Sequence, residues 1–234
     1  MNEPLGKIEK PEAQSFSGSR KLIYVPLVLI APGSDKALSG LVDLFWQEAA
    51  RQVQNLTAGL GKMSKIFHEL VGREENMLEA LEEMNSGSLA MVKKMVEGGA
   101  VFQVIEEQEI LNEFMDWNRC LAMGLQSARA FETVYQNYVK IQQQRNELIA
   151  GHIDEALKEN EIGLLLLREG HHVQYAADIQ VFYVAPPSLD AIHRHLREHY
   201  DGRSLKDEQA EPGCAAEAGE PIAEDEPEGP TGAD

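Results

Sequence analysis

Residues 162–167 read Ile-Gly-Leu-Leu-Leu-Leu, apolar at every position. A half-exposed strand alternates apolar and polar side chains, whereas a strand covered on both sides has no polar face. Six such residues after a long polar helical pattern therefore predict a central strand with helices on both sides. The second run, Ile179-Gln-Val-Phe-Tyr-Val184, ends at Pro186-Pro187-Ser188, which stops a strand and caps a helix. The polar connection Arg168-Glu-Gly-His-His172 lies between the two runs, which sit about ten residues apart. Antiparallel strands need only a tight turn, and a parallel crossover usually takes about a dozen residues or more. The spacing predicts antiparallel neighbours.

Upstream, the patterns alternate in type. Lys21–Ile30 reads as a buried strand ended by Pro32-Gly33. Leu38, Leu41, Phe45, Ala49, Val53, Leu56 and Leu60 recur at helical spacing, with Ser34 or Asp35 as cap and Gly59 or Gly61 as stop. A weaker strand is predicted over 63–69, short helices over 74–84 and 88–97, and a third strand over 101–105. Residues 106–121 and then 125–158 read as helices flanking Gly124. The order β-α-β-α-α-β-α-α-β-β-α indicates an α/β fold, a mixed sheet of about five strands with flanking helices and a long helical segment that kinks or projects.

Within that segment Phe131, Val134, Tyr138, Ile141 and Leu148 keep the three/four spacing of a heptad seam, which Arg145 and His152 interrupt. A helix of this length would reach about 50 Å. The expected partner of the 125–158 helix is a second copy of the chain or another protein.

Charge and composition narrow the function classes. The formal charge is −18. The tail, 201–234, has eleven acidic and two basic side chains and few residues able to form a core. It is expected to be disordered, as is the polar segment 1–20, leaving 21–200 as the α/β domain. No Lys/Arg cluster stands out, so nucleic acid is disfavoured. The apolar run from Leu22 is too short to span a membrane and contains Pro26. Cys120 and Cys214 sit in unlike settings, and a cytoplasmic location is expected.

Chemistry-bearing motifs are few. Gly59-Leu-Gly-Lys-Met-Ser64 lacks P-loop spacing and ends a helix where a P-loop begins one. Glu106-Glu107 suits a helix start through the macrodipole and needs no catalytic role. Glu169, His171, His172 and Asp178 are the candidate binding residues, with a histidine of the last helix as a further member. Adjacent extended residues point to opposite faces, so His171 and His172 cannot share one metal. His195 and His199 have usable ligand spacing but lack an H-E-x-x-H partner glutamate. No nucleophile, cofactor or metal motif is found, and a non-enzymatic protein is the leading reading. An enzyme with a metal-dependent site near Glu169–Asp178 is one of two alternatives.

One stretch adds a resemblance. Residues 153–197, through Glu155-Ala-Leu157, Leu164-Leu-Leu166 and Glu169, resemble the last domain of archaeal and eukaryotic peptide-chain release factors and their Pelota relatives. That resemblance implies a related fold or ribosome- and translation-associated binding, and a translation-associated factor is the other alternative. It carries no hydrolytic residue, because the Gly-Gly-Gln tripeptide of release factors is absent and His172-Val-Gln174 is no substitute. The chain as a whole also resembles a prokaryotic α/β family, which implies a fold alone.

Overall fold

The computed structural model describes residues 18–30, 33–71, 77–84 and 86–207. Most of the 1–20 segment and of the acidic 201–234 tail lies outside these residues. Residues 1–195 form one compact unit and 196–234 a second, of which the described part is the end of the last helix.

Five strands, β1 (Arg20–Pro26), β2 (Lys65–His68), β3 (Val101–Gln103), β4 (Ile162–Leu167) and β5 (Ile179–Tyr183), form one sheet in the order β3-β2-β4-β1-β5. Six helices accompany them among the described residues: α1 (Lys36–Leu60), α2 (Met77–Met84), α3 (Ser86–Glu97), α4 (Gln108–Ala122), α5 (Ala128–Ala156) and α6 (Pro187–Asp207). The element order matches the sequence expectation. The last helix passes Tyr200, beyond the expected domain boundary.

The sheet is parallel throughout, where a mixed sheet was expected. β4 and β5 are not neighbours: each pairs in parallel with β1, which lies between them. The connection 168–178 crosses β1 without a helix. Eleven extended residues reach about 36 Å, enough to retrace a short strand and step over one neighbour. Val173 is buried in this crossing, packed in one cluster with Tyr24. An extended chain crosses one strand with fewer residues than a helix needs, so eleven suffice for this parallel connection.

β4 is the central strand, all six of its residues buried. Side chains alternate across it. Leu165 and Leu167 join Leu22, Tyr24 and Phe67 under Ile149, Ile153 and Leu157 from α5 and its end. Leu164, Leu166, Ile23, Val25 and Ile66 occupy the alternate positions and are fully buried. Helix α1 buries Leu38, Val42, Phe45, Trp46, Ala49 and Val53 at three/four spacing. Its cap is Asp35, whose Oδ1 accepts from the Leu38 N–H at 2.9 Å.

The long helical segment breaks at residues 123–127, and α4 and α5 pack as a hairpin. Tyr138 stacks on Phe114 of α4, and Ile141 is buried. These seam positions are therefore covered within the chain. What α5 leaves in solvent includes the first seam residue, Phe131, with Tyr135 and Val139 in line with it, each more than two-fifths exposed.

Candidate functional site

In parallel α/β sheets the loops at the carboxyl ends of strands surround a crevice wherever successive connections leave on opposite faces. Here the helices after β2 include α3, which packs on α1, whereas the connection after β4 lies on the α5 face. The crevice falls between the ends of β2 and β4.

Each of those ends supplies charge. Glu69 follows β2 and Arg168 follows β4. Glu69 is 1 % exposed and accepts from three donors. They are the Arg168 N–H at 2.6 Å, Arg168 Nε at 2.9 Å and Arg145 Nη2 at 2.9 Å. Arg145 comes from the middle of α5. Its Nε and Nη2 also form a two-point contact with the buried Glu106, the Nε bond being 2.9 Å. Glu106 in turn accepts from the Leu70 N–H at 3.2 Å. Leu70 has φ 67°, a left-handed conformation that branched and bulky residues avoid, so the turn after β2 carries local strain at this point.

The two acids and two guanidiniums form an alternating network. Burial pushes the Glu69 carboxyl up, but Arg168 and Arg145 outweigh it and hold the pKa below its ordinary value. Burial likewise opposes the charge on Arg145, and Glu106 and Glu69 reverse the balance. Phe114 provides an aromatic floor: the Arg145 guanidinium carbon sits 4.6 Å and that of Arg168 5.9 Å from its ring centre.

A cavity of about 230 Å³ opens over the network, between the α4–α5 hairpin and the strand ends. Its donors include Arg168, Asn118, Gln142 and Asn146, with His171 at the loop side. Arg168 bonds Glu69 through Nε, and its two terminal nitrogens have no hydrogen bond among the described residues. Asn146 is 8 % exposed, and its amide too has no partner among them. His171 accepts the Val173 N–H on Nδ1 at 3.3 Å, which puts its own proton on Nε2. Burial lowers the His171 pKa, with Glu69 opposing and His172 assisting, so the ring is neutral near pH 7.

The sequence-chosen residues separate. Glu169 and His171 line this cavity. Glu169 accepts from Tyr183 Oη at 2.7 Å and meets His193 Nε2 at 2.6 Å, so a histidine of α6 does join it. His172 lines a different cavity, of about 550 Å³, which shares Gln142 and Asn146 of α5 with the first. Asp178 precedes β5 and is held at the opposite end of the strands, with both oxygens 2.7 Å from Arg20. It cannot join Glu169, so the constellation envisaged from sequence is split. His195 lies 3.0 Å from the Asp35 carboxylate, near the start of α1.

Sequence reasoning missed Glu69, Glu106, Arg145, Arg168 and Asn146. The available signal was Arg145 itself, a cation at an apolar seam position. Compared with protein-family models, curated proteins and solved structures, the chain finds no match in any of the three.

Proposed function

We propose that the protein binds a small carboxylate- or phosphate-bearing molecule in the cavity over the Glu69–Arg145–Glu106–Arg168 network. One observation carries this reading: Asn146 and the outer fork of Arg168 lack partners in a site whose other charges are fully paired. The Asn146 amide lines the cavity and offers a donor to a ligand oxygen there, and the Arg fork matches two oxygens of a carboxylate or phosphate. The volume is below the usual 300–1,000 Å³ range of ligand pockets, which favours a compact molecule over a nucleotide. With both acids of the network occupied, they act as positioning groups, and the reading is of recognition rather than turnover.

The test is thermal melting in the presence of inorganic phosphate, succinate and glutamate, for the wild type and Arg168→Gln. Support is a rise in melting temperature with at least one of them that Arg168→Gln loses. No rise with any, or the same rise in both proteins, contradicts the reading.

A second reading, self-association through α5, is favoured by the exposed Phe131, Tyr135 and Val139, which repeat every four residues and form one stripe. Light scattering of the wild type beside Tyr135→Ser with Val139→Ser tests it. A dimer that the double variant converts to monomer supports it, and a monomer at high micromolar concentration counts against it.

A further inference from the structure

Helices α1 and α3 touch along part of their length and leave a trough, and its lining differs in character from the polar cavity above. It holds about 740 Å³, within the usual range for a small-molecule site, and is walled mainly by Ala50, Val53, Ala90, Met91 and Met95. Small residues face the space from both helices, and the methionines are adaptable apolar surfaces. At the end near Gly61 and Gly98 the trough is lined by Lys62 and Lys94. At the other end it continues into a space of about 350 Å³ that shares Ala50, Ala90 and Met91 and is lined by Trp46. Trp46 is 5 % exposed, and its indole N–H has no acceptor among the described residues.

An elongated apolar trough with two ammonium groups at one end has the polarity of an amphiphile with an anionic head. From Gln47 to Gly61, α1 advances about 20 Å. One acyl chain reaches across half of a bilayer's hydrocarbon core, about 15 Å. Both cations matter more in a chain of net charge −18, whose overall field disfavours an anion. We propose that the α1–α3 trough binds a single-chain fatty carboxylate, with its tail toward Trp46 and its head between Lys62 and Lys94. This site is separate from the cavity at the strand ends and does not depend on it.

Trp46 reports on the trough, and Trp117→Phe removes the other indole. In that background, dodecanoate titrated below its micelle concentration is expected to give a saturable change in fluorescence. Dodecyltrimethylammonium, with the same tail and opposite charge, is expected to bind at least tenfold more weakly. Lys62→Glu with Lys94→Glu is expected to weaken dodecanoate about tenfold. Ala90→Phe and, on the facing helix, Ala58→Phe each place a ring in the space from an exposed position and are expected to abolish the saturable change. Whichever of these two keeps the wild-type melting temperature is the decisive variant. The proposal is overturned by equal binding of the two detergents, by full binding in the double lysine variant, or by saturable binding in a folded blocking variant.

Discussion

Arg145 Nη2, from the middle of α5, lies 2.9 Å from Glu69 Oε1 at the end of β2, and both side chains are buried. The same guanidinium holds Glu106, which follows β3. One cation thus ties the helix preceding β4 to the ends of two other strands. Removing it leaves Glu106 in the interior without a cation and Glu69 with Arg168 alone. Arg145→Met is expected to cost about 3–5 kcal/mol in urea denaturation, the penalty of breaking a buried pair from one side. Arg145→Lys retains charge but not the fork, and is expected to recover only part of that loss. A loss under 1 kcal/mol for Arg145→Met would show that solvent reaches the network freely.

Gly163 sits in the central strand where a Cβ would lie 2.8 Å from the Phe67 ring and 3.1 Å from Leu22. The neighbours are a rigid ring and a packed core leucine, so the contact cannot be relieved by a flexible chain end. Gly163→Ala is expected to destabilise the fold by about 1–3 kcal/mol, and Phe67→Leu in the same protein to return part of it. Equal losses with and without Phe67→Leu would place the strain elsewhere.

His68 is buried at the end of β2, and its Nδ1–H donates to the Glu69 carbonyl at 2.5 Å while Nε2 has no partner among the described residues. Burial lowers its pKa from 6.5 to about 4, the bond to the Glu69 carbonyl and the Glu69 charge opposing. The unfolded chain therefore binds a proton at higher pH than the folded one. Stability attributable to this group rises with pH between about 4 and 6.5 and is lost as pH falls through that window. The difference is on the order of 3 kcal/mol. His68→Leu is expected to flatten the dependence of unfolding free energy on pH between 4.5 and 6.5. An unchanged slope would mean that His68 takes up a proton without unfolding.

Ile141 is buried, whereas Tyr135 and Val139 are exposed on the same helix. Ile141→Asp is expected to destabilise the monomer by more than 3 kcal/mol, through an unpaired buried charge. Tyr135→Ser and Val139→Ser are expected to change melting by little in the monomer. Circular dichroism melts at low concentration compare them, and an Ile141→Asp protein of wild-type stability would put this position on the surface.

The contrast between these positions shows what could be read from the chain alone. The order of strands and helices was legible because each element has its own period and its own stops: Ser34 or Asp35 as cap, Gly59 or Gly61 as end, the unbroken apolar run of β4. Strand direction was not, since it depends on the path of residues 168–178 over β1, and local pattern says nothing of a neighbour 140 positions upstream. The site was half legible. Glu169 and His171 stood out as polar residues after a buried strand, which is where a parallel sheet gathers its chemistry. Glu69 and Glu106 did not, because each resembles an ordinary charged residue beside a turn or helix start. Their partner did leave a trace: Arg145 breaks an apolar seam, and a cation at a core position requires a buried anion.

The central claim, that the strand-end cavity recognises a compact anion, is tested most directly by NMR of the protein with labelled Arg, Asn and His side chains during a succinate titration. The account predicts saturable shifts at Arg168, Asn146 and His171, with Asp178's partner Arg20 at the far end of the strands unmoved. Shifts absent from all three residues, or spread evenly over the surface arginines and histidines, would contradict it.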